Sequence, residues 1–270
     1  MPKRVPGSHF ARNLITQRTL IFQLVKRDFQ QRYVGSAAGW LWGLIHPLVL
    51  LGSYIFIFSI CLKVTPGPKA VTQNYPMFLF AGMLPWLLFS DTVQRSAGSL
   101  VDQANLITKT VFPSEIVPVS IFLSSLISHL LALSLVIAAA GIWMRHLSPM
   151  LALLPLFMLP LALFAVGIAW IASSLQVYLR DTAQVLMVIL TLWFWVTPIF
   201  IDEDRFPAWA HFVIRMNPLS YVVDAYRQML LGNGVPPMRD LGASSAFAVA
   251  AFICGGLFFR HLKRGFADVL

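Results

Sequence analysis

IVPVSIFLSSLISHLLALSLVIAAAGIWM, residues 116–144, contains no Asp, Glu, Lys or Arg. Such a run would not stay soluble in water. In lipid it makes sense, because ~20 apolar residues of helix cross the hydrocarbon core and satisfy their own backbone hydrogen bonds. Five more charge-free runs lie on either side of it, at residues 39–62, 77–90, 149–179, 185–201 and 241–259. Almost every ionisable group falls in the gaps. The expected fold class is therefore an all-α membrane protein with six transmembrane helices.

Of 270 residues, 58% are hydrophobic and 11% charged, so six spans at about 20 residues each use roughly half the chain. The remainder is too small for an independent soluble domain of ordinary size. Two regions are expected: a cytoplasmic and interface segment over 1–34 and a single membrane domain over 35–270. Residues 1–32 are basic and broken by polar residues, and are not expected to act as a cleavable signal. Cys61 and Cys254 are expected to be small buried hydrophobes, with no disulfide or metal site.

The net charge of +9 raises the question of nucleic acid, but its placement points to membrane orientation. With the N-terminus inside, thirteen Lys and Arg fall in cytoplasmic pieces and seven in outer ones, accounting for all 20. This excess predicts both termini in the cytoplasm. Four of the outer seven lie in one long loop, 202–240.

Over 13–33 a helix is expected, with Phe22, Val25, Phe29 and Tyr33 as its apolar stripe and Lys26 and Arg27 off it. Such a helix lies flat in the cytoplasmic interface, basic side towards anionic headgroups. Pro47 is expected to kink the first span, and His46 beside it reads as a structural histidine. In the polar loop 91–115, residues 96–107 can form a short helix suited to receive a partner. The outer loop 202–240 is too apolar for plain solvent. Asn217 is a good helix N-cap, Pro218 a good first residue and Gly232 a good stop. Two short helices dipping back into the outer leaflet are expected there, as a gate or pore mouth.

Absent motifs narrow the chemistry. No G-x-x-x-x-G-K-[ST] is present, so this chain has no P-loop for ATP, and neither H-E-x-x-H nor G-x-S-x-G occurs. The apolar runs hold no carboxylate, which disfavours an ion-coupled transporter. A membrane glycosyl-transfer enzyme needs carboxylates at a wet site. The only acidic cluster, Asp202, Glu203 and Asp204, reads as a solvated loop start. No catalytic residue, cofactor or metal ligand is assigned, and the chain is not expected to be an enzyme.

The run KRDFQQRYVGSAAGWLWGLIHPL, 26–48, carries the pattern R-D-x-x-x-R-Y-x-x-S-x-x-G-x-x-W-x-x-x-x-P through Arg27, Asp28, Arg32, Tyr33, Ser36, Gly39, Trp42 and Pro47. This resembles the leading segment of the permeases of polysaccharide-export ATP-binding-cassette transporters, the type 2 exporters of O-antigen, teichoic acid or capsule. The stretch 105–118, NLITKTVFPSEIVP, looks like that family's cytoplasmic coupling segment. The stretch 217–231, NPLSYVVDAYRQMLL, looks like its outer re-entrant helix. Ala38 departs from the bulkier aliphatic common before the glycine. The three patches occur in family order and span essentially the whole chain.

The resemblance implies a homodimer working with two copies of a separate ATPase in the bacterial cytoplasmic membrane. It implies a polyprenyl-pyrophosphate-linked polysaccharide as substrate, and no cofactor or nucleic acid. A teichoic acid, capsule or small-molecule drug exporter of the same superfamily is the alternative. Arg27 and Arg32 are candidates for the pyrophosphate head; plain positive-inside anchoring is the other reading. Trp40, Trp42, Trp86, Phe89, Trp193 and Trp195 are candidate channel aromatics for stacking on sugar faces, against an ordinary interfacial belt. Ser99, Leu100, Asp102, Asn105 and Ile107 are the expected ATPase-coupling residues. Asn217, Pro218, Tyr221, Asp224 and Arg227 are the expected outer gate.

Overall fold

The computed structural model describes residues 16–32, 39–68, 70–110, 112–144, 148–232 and 234–270. Within them every regular element is a helix. In chain order these are α1 (Arg18–Gln31), α2 (Trp42–Tyr54), α3 (Tyr75–Asp102), α4 (Ala104–Lys109), α5 (Ile116–Met144) and α6 (Leu154–Tyr178). They continue with α7 (Thr182–Val196), α8 (Ala210–Met216), α9 (Pro218–Leu231), α10 (Met238–Leu262) and α11 (Phe266–Val269).

Four of the described helices are long and apolar enough to cross a membrane: Tyr75–Asp102, Ile116–Ile142, Pro149–Tyr178 and Met238–Val269. Two further apolar helices, Ile45–Cys61 and Thr182–Val196, are shorter. All six charge-free runs thus fall on helices, although two fall short of spanning length. The 15 residues of α7 rise about 22 Å, less than the ~30 Å hydrocarbon core. After Pro47, the helix begun in α2 passes into a π-helical stretch, Ile55–Cys61.

The core is built around α3, which is buried along most of its length and packs on α5, α6 and α9. The closest helix pair is α6 with α10. There Gly167 and Gly255 let the backbones touch. A Cβ on Gly167 would sit 2.5 Å from the carbonyl oxygen of Ala251, and one on Gly255 would sit 2.8 Å from the carbonyl carbon of Gly167. Small residues at helix crossings serve this purpose in membranes, where apolar burial between helices provides no drive and close van der Waals packing takes its place.

Several expectations change. α3 does not end at residue 90; it runs on to Asp102, so residues 96–102 belong to a long helix and the break falls at Gln103. The apolar run ended because polar residues begin at Ser90, yet Ser96, Ala97, Ser99 and Leu100 still face protein. Of the stripe expected on α1, Phe22 is exposed. Ile21 and Leu24 pack against Ile116 instead, and Tyr33 lies outside the described residues. α1 has apolar residues on adjoining faces, and α5 takes the face carrying Ile21. Cys61 and Cys254 are exposed rather than buried, on helix surfaces where an apolar medium makes a thiol inexpensive to expose.

Candidate functional site

Three constellations stand out, two at the end of the bundle that carries α1 and α4, and one at the opposite end. The first begins with spacing. Asp28 on α1 and Arg32 at its C-cap, and Asp91 and Arg95 on α3, are each i,i+4 pairs, which helical backbone places on one face. α1 and α3 bring the two faces together. Arg32 Nη2 donates to Asp91 Oδ2 at 3.0 Å and to Ser125 Oγ at 3.1 Å, and Arg32 Nη1 donates to Ser128 Oγ at 3.3 Å. Arg95 pairs with Asp28, and its Nη1 donates to Ser125 Oγ at 3.3 Å. Ser125 in turn donates to Asp91 Oδ2 at 2.5 Å. Two arginines and two aspartates therefore cancel around one serine of α5. Arg32 is held in this network, while Arg27 is exposed on the far side of α1.

A cavity of about 300 Å3 opens beside the cluster, between α2, α3 and α5. Trp42, His46, Asp91, Gln94 and His129 line it. His129 is buried within α5 and shares a 3.1 Å hydrogen bond with Tyr226 Oη of α9, which ties the cavity wall to the opposite half of the molecule.

The second constellation is the short helix α4. Asp102 and Asn105 are exposed and Ile107 is half-buried, whereas Ser99 and Leu100 are buried against this chain and present nothing outward. Behind α4 lies α11 at the C-terminal end. That end is fixed by the Lys263–Glu115 ion pair, by Tyr178 Oη donating to Leu262 O at 2.9 Å, and by Phe266, which is fully buried beside Tyr178 and Phe259. Trp170 Nε1 donates to Glu115 O at 3.0 Å, anchoring the start of α5 to α6. The arrangement is a short protruding helix on a rigid base.

The third constellation surrounds α9. Asn217 caps it, accepting from the backbone N–H of Leu219 at 3.0 Å, with Pro218 as first residue. The same Asn217 Oδ1 accepts from Trp193 Nε1 at 2.9 Å, and Asn217 Nδ2 donates to Thr197 Oγ1 at 2.9 Å. Arg227 is wholly buried. Its guanidinium lies 3.5 Å over the Phe78 ring, Nη2 donates to Ile199 O at 2.6 Å and Nε donates to Phe78 O at 3.3 Å. Asp224 lies 3.6 Å from Arg227 Nη1, and Tyr221 Oη donates to Arg215 O at 2.8 Å. One asparagine and one arginine thus fasten α9 to α3 and to the end of α7.

The candidate aromatics separate into two groups. Trp86, Phe89 and Trp193 belong to one packed cluster with Phe164 and Phe194, with ring centroids 5.2–5.9 Å apart. Trp86 and Phe89 are buried and pack as core within this chain, whereas Trp193 is half-buried and lines a cavity of about 570 Å3 together with Ile168, Leu175 and Tyr178. Trp42 and Trp195 are about half exposed. The side chain of Trp40 lies outside the described residues.

Asp91, Arg95 and Ser125 were not singled out from the sequence, and Asp28 was noted only as part of the R-D pattern. The paired i,i+4 spacing was a usable signal, but nothing in one dimension shows that two such pairs meet. Arg227 gave no signal of burial, since a lone arginine in an outer loop counts only as charge.

The ABC-2 type transporter family profile matches residues 19–231, from α1 to the end of α9. The chain belongs to the ABC-2 type transporter family. It is 26% identical over 259 residues to the O-antigen export system permease protein RfbA of Myxococcus xanthus, covering 95% of this chain and 97% of that one. It is 29% identical over 252 residues to a Klebsiella pneumoniae protein of the same name, covering 93% and 95%. The polysialic acid transport protein KpsM of Escherichia coli is 22% identical over 251 residues, covering 90% and 93%. All three constellations fall largely within the family match; the segment beyond Leu231 supplies α10, α11 and Lys263.

Proposed function

We propose that this ABC-2 family chain is the permease subunit of an exporter that moves an O-antigen-type polysaccharide, linked to a polyprenyl pyrophosphate, across the bacterial cytoplasmic membrane. The observation that carries the reading is end-to-end similarity to proteins named as O-antigen export permeases, with at least 93% of each chain covered in the two comparisons above. In the working assembly two copies of this chain form the channel and two copies of a separate ATPase supply the energy. All six apolar helices cross the bilayer, the two short ones with their 3-10 or π-helical flanks, and both termini face the cytoplasm. α1 lies at the cytoplasmic interface. Asp102, Asn105 and Ile107 on and beside α4 receive the push of the ATPase. Asn217, Pro218, Tyr221, Asp224 and Arg227 hold α9 as a re-entrant outer gate, where non-helical backbone is tolerable because protein covers it.

With Arg32 engaged by two aspartates, exposed Arg27 is the arginine of the pair free to meet an anionic head. Trp42 and Trp195 are the exposed aromatics suited to weak, repeated stacking on a moving sugar chain. The test is deletion of the gene. Loss of surface polysaccharide with accumulation of the lipid-linked glycan inside supports the reading, and unchanged surface polysaccharide overturns it. Loss of a capsular polymer instead would favour the KpsM-like reading.

A further inference from the structure

α4 is jointed at both ends. Gln103, with φ −107° and ψ 19°, breaks it from α3, and Thr110 ends it in extended backbone. Six residues are too few to hold a helix by propensity, so packing holds it. Among the described residues two elements chiefly do so: the end of α3 that leads into it, and α11. The route from α4 along α3 passes through a joint. The sideways route passes through packed side chains.

That sideways route is tight. Phe266 of α11 is fully buried, its ring centroid 5.4 Å from that of Phe259 on α10 and 6.2 Å from that of Tyr178 on α6. Ile107 of α4 is half-buried against the same core. So is Leu270, whose N–H closes the turn of α11 on Phe266 O at 3.0 Å. Tyr178 Oη donates to Leu262 O, and a Cβ on Gly265 would lie 2.6 Å from that hydroxyl oxygen, so α6 and the segment after α10 meet without slack. Lys263 pairs with Glu115, six residues beyond α4, and the carbonyl of Glu115 accepts from Trp170 of α6.

Beyond α11 lies a stiff lever. α6 and α10 are the most closely packed helices, and the 25 residues of α10 rise about 37 Å. Near the far end of α10, Ser244 shares a recess with Pro218, Leu219 and Val222 of α9. Close-packed interiors have low compressibility and pass strain on. A displacement of α4 that is carried by α11 therefore arrives at the helices on which α9 rests.

On the coupling role proposed above for α4, we propose that segment 263–270 is the strut that carries the movement of α4 to the α6–α10 pair and so to α9, with Phe266 as its central positioning residue. Phe266 touches no substrate. It acts by holding α4 at a fixed offset from α6 and α10. Without its ring, α4 still presents its exposed face to the ATPase and ATP is still hydrolysed, but the stroke is taken up in the slack beneath α4.

The experiment uses the full-length chain purified with its ATPase and reconstituted in vesicles. Two quantities are read on the same vesicles: ATP hydrolysed, and lipid-linked O-glycan protected from an external glycosidase. Phe266→Ala is expected to keep ATPase co-purification and ATP hydrolysis, and to lower glycan protected per ATP about tenfold, within the range by which residues along a coupling route alter coupling. Phe266→Leu, which keeps most of the bulk, restores most of the ratio. A purely structural role would lower the yield of complex and leave the ratio at the wild-type value, and that result overturns the proposal. If Phe266→Ala does not yield folded protein, Leu270→Ser, which loosens the half-buried end of the same segment, is expected to lower the ratio in the same direction, and a wild-type ratio overturns the strut. Leu106→Asp on α4 separates the two failures. Unchanged co-purification with Leu106→Asp removes the coupling role of α4 and this inference with it. Lost co-purification with Leu106→Asp, beside a wild-type ratio in Phe266→Ala, overturns the strut alone.

Discussion

The crossing of α6 and α10 allows a stability effect to be worked out before it is measured. Replacing Gly167 by alanine places a Cβ 2.5 Å from Ala251 O and 2.6 Å from its carbonyl carbon, whereas ordinary contact begins at 3.4 Å. The obstructing atoms are backbone of a rigid helix, so no side-chain rotation relieves the overlap. The helices must separate by about 0.9 Å, and a gap of that order forfeits a quarter to a half of each dispersion contact along the seam. Overpacking typically costs 1–3 kcal/mol, and with backbone on both sides the upper end, about 3 kcal/mol, is expected for Gly167→Ala. In a protein of this size that lowers the midpoint of thermal unfolding by roughly 6–12 °C. The assay is the temperature at which purified protein in detergent loses its monodisperse size-exclusion peak.

Gly242 provides the control. It lies on α10 with open space where its Cβ would be, so Gly242→Ala gains helix propensity of up to ~1 kcal/mol and leaves the midpoint unchanged or raised. Gly167→Ala as stable as the wild type, or Gly242→Ala equally damaged, refutes the close-crossing argument.

Three further outcomes are expected. Trp86→Ala and Trp193→Ala remove packed rings and each cost ~3–5 kcal/mol, seen as lost folded protein. Trp42→Ala keeps protein level normal and lowers surface glycan, as measured by quantitative blotting of both. Leu106→Asp, on the exposed face of α4, leaves the permease folded but reduces co-purification of the ATPase; unchanged co-purification removes α4 from the coupling role. With Cys61 and Cys254 replaced by serine, a cysteine at exposed Ala208 reacts with an impermeant maleimide from outside. One at Asn105 reacts only after permeabilisation, and the reverse pattern inverts the topology.

The helical class was legible because lipid imposes a simple rule: a charge-free run of ~20 residues has few alternatives to a helix. Each of the six runs is wholly or mostly helical, the run 185–201 only as far as Val196, and the Asn217–Pro218 start and Gly232 stop of α9 were readable from capping chemistry alone. The C-terminal end of α3 was not. Its last turns carry Asp91, Gln94 and Arg95, and a hydropathy pattern cannot tell a solvated loop from a helix whose charges are neutralised by another helix. The burial of Trp86 and Phe89 was hidden for a related reason. Trp86 and Phe89 look the same in sequence whether they line a channel or fill a core, and only the rings of α3, α6 and α7 brought together around them show that they pack inside this chain. Ser99 and Leu100 were placed on a docking helix because the break at Gln103 leaves no composition signal.

The central claim is ATP-driven passage of a lipid-linked polysaccharide through this chain. The direct measurement reconstitutes the permease and its ATPase in vesicles with the ATPase facing out, adds a polyprenyl-pyrophosphate-linked O-glycan to the outer face, and follows protection of the glycan from an external glycosidase. Protection that rises only when ATP, the ATPase and this chain are all present is the predicted result. Protection that is the same without ATP or without this chain contradicts the account.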